Sequence, residues 1–343
     1  MKLLIFGDNH WCKYSSILRG RGTKYSLRLE NQIKSLEWVN DIAIEYDCNA
    51  IVCDGDFFDK PMLDSEEITA LSEVRFKRSI TFIVGNHESD MSDLSYNSTN
   101  ALEGIGNKIT SPYTFSLSDT DFEICFLPYV REENRVSLKE VFGEKKKKRI
   151  IISHNDIKMQ YGQYVSKTGY DISDIEENCD LFFNGHLHNA TTVGNKIVLV
   201  GNLTGQNFSE DAYKYKHGVI IFDTDTMTYE FVENPYALKF YQINESSDFN
   251  FGENAVVSAV VSEGKAEEVR KKLLENPNVI TYKVIETRNV VTNNVTEQED
   301  VSLAIDYLAK FSEYIKSTMG ESANINDEIS HICIGNWGMI DDY

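Results

Sequence analysis

Five short segments carry the side chains that hold divalent cations: Gly7-Asp8-Asn9-His10, Gly55-Asp56-Phe57-Phe58-Asp59, Gly85-Asn86-His87-Glu88, Ser153-His154-Asn155 and Gly185-His186-Leu187-His188. Five of the seven histidines fall inside them, and the ordered set is far more specific than a lone Gly-Asp-x-His. Two divalent cations about 3.5–4 Å apart share a carboxylate, take nitrogen and oxygen ligands, and keep open positions for water and a substrate phosphate. Asp, Asn and His at loop tips supply that chemistry. Histidines one residue apart, as at 186 and 188, can each serve a different cation because a tight turn splays successive side chains. The glycine ahead of each group is read as permitting the turn and a close approach of backbone to substrate.

Such loops need rigid elements beneath them. Short β-branched or aromatic runs at Leu3 to Phe6, Ala50 to Cys53, Thr81 to Val84, Ile124 to Leu127, Ile150 to Ser153, Leu181 to Phe183, Ile197 to Val200, Val219 to Phe222 and Tyr229 to Val232 read as strands. Polar, helix-like stretches alternate with them, the pattern of an α/β layered domain. Several of these runs end abruptly in Gly, Asp, Asn or His, and in open α/β sheets ligands collect outside the carboxyl ends of strands.

After Asn234-Pro235 the texture changes. An apolar run at 255 to 261, a helical pattern from Lys265 to Glu275 with Ala266, Val269 and Leu273 in register, and a strand-like Val279 to Ile285 predict a small βαβ unit. A polar Asn/Thr-rich stretch from Glu286 to Glu299 reads as a linker. Val301, Ile305, Leu308 and Ile315 then share one helical face, and a further apolar set, Ile325, Ile329, Ile332 and Trp337, closes the chain.

The 343 residues include 34 Lys plus Arg against 54 Asp plus Glu, a net charge of −20, with a hydrophobic fraction of 41%. That length and composition predict one large domain plus a smaller one. No apolar run approaches the roughly eighteen residues of a membrane helix, so no membrane association is expected and a cytoplasmic location is. The six cysteines show neither a Cys-x-x-Cys pair nor a framework spacing, and read as reduced, buried small hydrophobes. The acidic balance argues against nucleic acid as a whole-surface partner. One stretch runs the other way. Residues 11 to 29 contain Lys13, Arg19, Arg21, Lys24 and Arg28 with no acidic residue, interleaved with Trp11, Tyr14 and Tyr25, a candidate phosphate-tracking surface beside the first metal motif. The run Lys145 to Arg149 reads as a solvated turn before a strand.

The five motifs in this order resemble the calcineurin-like metallophosphoesterase superfamily and, within it, the SbcD type of nuclease subunit of bacterial and phage recombination complexes. The superfamily resemblance covers about the first 235 residues. It implies a layered β-sandwich flanked by helices over 1–235, a small α+β cap at 236–290, and a linker with a C-terminal helical partner-binding segment at 291–343. It makes Asp8, His10, Asp56 and His188 ligands of one metal. Asp56 bridges to a second, which Asn86, His154 and His186 complete. Mn2+ is the first choice, with Zn2+ or Fe as alternatives. His87 is implied to face the scissile phosphate rather than bind metal; Asp59 is read as orienting His87 electrostatically.

Two branches of the superfamily compete. Protein serine/threonine phosphatases carry Gly-Asn-His-Glu, as at 85 to 88, whereas SbcD-like nucleases more often have Asp in place of Glu88. Those phosphatases, however, have Asp-Arg-Gly where this chain has Asp59-Lys60-Pro61, and Arg where it has Val84. The layout after residue 235 also favours the nuclease side. The expectation is a metal-dependent DNA exonuclease and endonuclease subunit, with a phosphomonoesterase or small phosphodiesterase as the alternative and a non-catalytic scaffold as a third reading. Partners implied by the resemblance are DNA, an SbcC-like ATPase docked on the C-terminal helix, and a second copy in a homodimer. The chain has no Gly-x-x-x-x-Gly-Lys-Ser/Thr loop, so a motor must be a separate polypeptide.

Overall fold

The computed structural model describes residues 1–14, 18, 20–90, 93–116, 120–161, 164–208 and 214–287. Residues 1–287 form one compact unit. The expected helical stripe from Val301 to Ile315, the apolar set from Ile325 to Trp337, and Arg19 lie outside the described residues.

Two six-stranded sheets build the body. The first runs in the order Thr228–Glu233, Gly218–Asp223, Lys2–Phe6, Ala50–Cys53, Ser79–Ile83, Asn107–Ile109, and its last four strands are parallel. The second runs Thr191–Val193, Ile197–Leu199, Leu181–Asn184, Lys148–Ser153, Phe122–Leu127, Tyr113–Phe115, with four parallel strands between antiparallel edges.

Period-two alternation explains why the central strands read as continuous apolar runs: both faces are covered. Leu3, Ile5, Val52 and Ile83 face Ile124, Ile150, Ile152 and Phe183 in the layer between the sheets. Their neighbours Leu4, Phe6, Ile51, Cys53 and Phe82 pack instead with Leu29, Leu36 and Val39 of the helix Leu27–Glu45. On the far side Cys125, Leu127, Ile151 and Phe182 pack against Leu138 and Ile175 of two short helices. The result is the layered α/β sandwich that the sequence predicts. Nine predicted strands are present to within two residues at each end. Short strands at Asn107–Ile109, Tyr113–Phe115 and Thr191–Val193 go unpredicted, because edge strands of three residues carry no apolar run.

Parallel Lys239–Ile243, Ala255–Ser262 and Val279–Thr287 form a separate three-stranded sheet. The helix Ala266–Leu274 lays Val269 and Leu273 on Val257, Ala259 and Val261. The opposite face, through Phe240 and Val256, packs with Leu238 and Leu18. Lys239–Ile243 goes unpredicted, because its mixed sequence Lys-Phe-Tyr-Gln-Ile lacks the apolar run of its neighbour.

The basic run before Ile150 is not all solvated turn. Arg149 is 1% exposed, with Nε 2.6 Å from Glu123 Oε1 and its terminal nitrogens donating to the carbonyls of Phe142, Gly143 and Glu144. It ties the helix Leu138–Phe142 to the second sheet. Because truncation leaves Glu123 and three carbonyls short of a donor, Arg149→Ala is expected to lower unfolding stability by about 3–5 kcal/mol in urea titration. A loss below about 1 kcal/mol, typical of exposed pairs, would contradict that role.

Candidate metal centre

The parallel strands of both sheets deliver the chemistry at their carboxyl ends. Asp8 and His10 follow Lys2–Phe6, Asp54 and Asp56 follow Ala50–Cys53, and Asn86 and His87 follow Ser79–Ile83. The second sheet adds His154 after Lys148–Ser153, and His186 and His188 after Leu181–Asn184. Pairings such as Phe6 with Cys53 and Ser153 with Asn184 bring neighbouring strands to their ends at one level.

The side chains gather into two sets that meet at Asp56. Asp8, His10 and His188 each offer an atom within 4.8 Å of the others, and so do Asp56, His154 and His186. In the first set, His10 Nε2 lies 3.1 Å from His188 Nε2 and 3.8 Å from Asp8 Oδ1. In the second, His154 Nε2 lies 3.1 Å from Asp56 Oδ2 and 3.2 Å from Asn86 Oδ1, and His186 Nδ1 lies 3.0 Å from the same Asn86 oxygen. The Oδ2 atom of Asp56 is also 3.9 Å from His10 Nε2. His186 and His188 thus point into different sets.

This donor set fits a pair of dications. Asp8, Asp54 and Asp56 are wholly or almost wholly buried, and the cationic side chains within 4 Å of Asp8 and Asp56, among the described residues, are histidines only. Burial opposes a charged imidazole, yet Asp56, Asp8 and Asp54 push His154 up to about 10. Burial would likewise raise Asp56, but His154 and His10 hold it well below the usual carboxylate range. A pocket that forces a proton onto a buried histidine is one that lacks positive charge.

Backbone strain concentrates at the same place. Asp8, His10, Asp56 and His186 take φ of 45°, 45°, 46° and 72°, in the left-handed region that costs a non-glycine residue about 1–3 kcal/mol. The glycines serve the site differently from the sequence-based expectation. Gly55 has φ of 129°, but Gly7, Gly85 and Gly185 are required for room: an added Cβ would collide with the carboxylate of Asp54 or Asp56, or crowd His154.

Carboxylates support the ligand-type histidines from behind. Asp59, expected to orient His87 electrostatically, has its Oδ1 3.7 Å from His87 Nδ1 and 3.0 Å from His10 Nδ1. A carboxylate behind a ligating imidazole fixes its tautomer, so Asp59 acts first on His10. Asp156, which sequence reasoning missed, stands in the same relation to His186, with Oδ1 3.0 Å from Nε2; its place two residues after His154 was the available signal. His87 donates its backbone N–H to Asp56 Oδ1 at 2.9 Å. Its ring stands edge-on to His10 with centroids 4.6 Å apart, and its side chain is 38% exposed, the most open of the five site histidines.

Glu88 does not face the site. Fully buried, it accepts from the N–H groups of Phe57, Phe58 and Gly85 at 2.6, 3.2 and 2.6 Å, latching the second motif loop to the third. Buried His217 contacts Asn202, whose N–H donates to the His188 carbonyl. Cys12, beside His10, is buried, and its thiol is pushed up to about 11 by desolvation, which suits packing rather than ligation.

The basic stretch meets acids distant in sequence. Lys13 and Arg21 both pair with Glu66, at 2.9 and 2.8 Å, and Lys24 pairs with Glu73. Arg28 is fully buried, donating to the Gly205 carbonyl at 3.0 Å and to Gln206.

The chain matches the calcineurin-like phosphoesterase family over residues 1–190 and belongs to it. That family uses a dinuclear metal centre, and the residues gathered here offer the His and Asp clusters for one. No curated protein matches the chain. Among solved structures it is similar to a protein described as a 5'-nucleotidase from Staphylococcus aureus (12% identity, TM-score 0.43, covering 68% of this chain and 52% of that one). It is also similar to an archaeal phosphodiesterase (12%, 0.34, 68% and 99%) and to a nuclease from Pseudomonas putida (12%, 0.26, 64% and 84%). The chain spans about half the length of the first. No helix among the described residues is long and apolar enough to cross a membrane.

Divalent ions are expected to raise the melting temperature and chelator to reverse the rise, each site contributing about 2.7 kcal/mol at a hundred times its Kd. Because ligation takes neutral imidazole, binding should also release protons, read as a titration heat that varies with the buffer's ionisation enthalpy. An unchanged melting temperature with no proton release would contradict the metal assignment.

Proposed function

We propose that this chain is a dinuclear metal-dependent DNA nuclease subunit of the SbcD type, hydrolysing phosphodiester bonds as a 3'-to-5' exonuclease and single-strand endonuclease. The observation that carries the hydrolase reading is Asp56, which reaches the His10 set and the His154 set with one carboxylate oxygen. Asp8, His10, Asp56 and His188 would hold one ion, and Asp56, Asn86, His154 and His186 the other. Mn2+ suits this mixed nitrogen and oxygen donor set.

Bound dications supply Lewis acidity toward the phosphate and a water acidified to near neutrality. The chain's own residues do the rest. Asp59 and Asp156 hold His10 and His186 in the tautomers that ligation needs. Exposed at the mouth of the site, His87 donates a proton toward the leaving sugar oxygen, a contribution typically worth about 10²- to 10⁴-fold.

The phosphomonoesterase alternative draws no substrate contact from Gly-Asn-His-Glu, because Glu88 is buried and accepts from three backbone N–H groups. Lys60 pairs with buried Glu67, and Val84 offers no charge where a phosphatase has its phosphate-holding Arg. Lys13, Arg19, Arg21 and Lys24 are proposed as DNA contacts; for Lys13, Arg21 and Lys24 this means exchanging Glu66 and Glu73 for phosphate. Residues 1–235 are taken as the nuclease domain, 236–290 as a cap, and 291–343 as the segment that docks an SbcC-like ATPase. We place the protein in the cytoplasm, the host's if it is phage-encoded, as a homodimer.

Asp56→Ala should abolish Mn2+-dependent cleavage of end-labelled duplex and circular single-stranded DNA while the chain stays folded. His87→Ala should keep both ions and lose about 10²- to 10⁴-fold in turnover. Hydrolysis of a generic phosphomonoester with DNA left intact would instead favour the alternative. Truncation after residue 290 should abolish copurification with an SbcC-like ATPase, and unchanged copurification would refute that docking.

A further inference from the structure

Asp54 is absent from the motif set yet lies in the middle of the site. It is wholly buried, and neither of its carboxylate oxygens has a hydrogen-bond partner. A buried acceptor in that state costs on the order of 1–3 kcal/mol and calls for a physical reason. The unpartnered ring nitrogen nearby is Nδ1 of His154, which is itself fully buried and bare. The two converge on one spot: a Cβ added at Gly185 would lie 2.7 Å from Asp54 Oδ1 and 2.8 Å from His154 Nδ1. Asp8, Asp54 and His154 each offer an atom within 4.8 Å of the others. Gly7, whose Cβ would overlap the Asp54 carboxylate, keeps that position open from the other side.

The orientation of His154 makes the pairing purposeful. Its Nε2 faces Asp56 and Asn86, so ligation through Nε2 leaves the ring hydrogen on Nδ1, pointing away from the ligand set and in need of an acceptor. His10 has Asp59 in that position and His186 has Asp156. His154 Nδ1 has no hydrogen-bond partner, and Asp54 is the buried, unpartnered carboxylate that lines the same spot.

We propose that Asp54 is a positioning residue, whose carboxylate accepts the Nδ1 hydrogen of His154 and holds its Nε2 toward the second cation. The inference rests on the dinuclear reading above but not on the identity of the substrate. Loss of such support behind a ligating histidine typically weakens metal affinity by about 10- to 100-fold.

The test is a Mn2+ titration of the full chain, wild type against Asp54→Ala and Asp54→Asn, with folding checked by circular dichroism in chelator. Expected is a 10- to 100-fold weaker second ion in the Ala variant, an unchanged first ion, and recovery of most of the loss in the Asn variant, whose amide oxygen still accepts. Two ions in the Ala variant at wild-type affinity, or equal weakening of both, overturns the proposal alone. A wild type that binds fewer than two ions overturns the metal assignment and this proposal together. Should the Ala variant not fold, nitrogen-15 NMR of the Zn2+-loaded wild type decides: an exchange-protected His154 Nδ1–H supports the proposal, and a rapidly exchanging one refutes it.

Discussion

Everything at the centre of this protein follows from putting three carboxylates, Asp8, Asp54 and Asp56, out of water around His154, close enough for Asp8 and Asp56 to act on Asp54. Like charges at that separation repel, and burial removes the solvent that would screen them. A concentrated positive charge would offset the arrangement, and among the described residues no Lys or Arg lies within 4 Å of Asp8 or Asp56. His154 is driven toward protonation in compensation. A pair of dications meets the same need while leaving the imidazoles neutral, so the electrostatics and the ligand geometry call for the same occupant.

The fold exists to hold that unfavourable cluster still. Two sheets, each with four parallel strands, are packed face to face by Leu3, Ile5, Ile150 and Ile152, and their strand ends lie at one rim. Left-handed φ at Asp8, His10, Asp56 and His186 turns the chain back toward the centre. Glycines leave the space those side chains fill, and Glu88 clamps the second loop to the third through three backbone N–H groups. Carboxylates stand behind two of the ligand-type histidines, Asp59 behind His10 and Asp156 behind His186. The site is therefore a set of strained loops over-determined by the packing below and the hydrogen bonds beside them.

The net charge of −20 takes on a local meaning. Part of the excess is spent inside the centre, where cations would offset it. Part faces the basic stretch, where Glu66 and Glu73 neutralise Lys13, Arg21 and Lys24. Such pairs add little stability, but among the described residues of that stretch they leave Lys13, Arg21 and Lys24 open to a polyanion only through an exchange of partners.

The sequence by itself determined the layered fold and the residues that gather at the rim. Strands buried on both faces must be apolar throughout, and metal ligands must sit in short turns just past them, so both signals are local and survive in the linear chain. What the tertiary structure decided are relations between residues far apart in sequence. Asp59 stands behind His10 as well as near His87, Glu88 serves as a latch between two loops, and Arg28 and Arg149, which read as surface charge, are buried struts. Asp54 shows the limit most clearly. One more acid beside Gly55 means nothing in the chain, and only the packing of His154 and Gly185, about a hundred or more positions away, makes it a buried carboxylate facing a bare imidazole nitrogen.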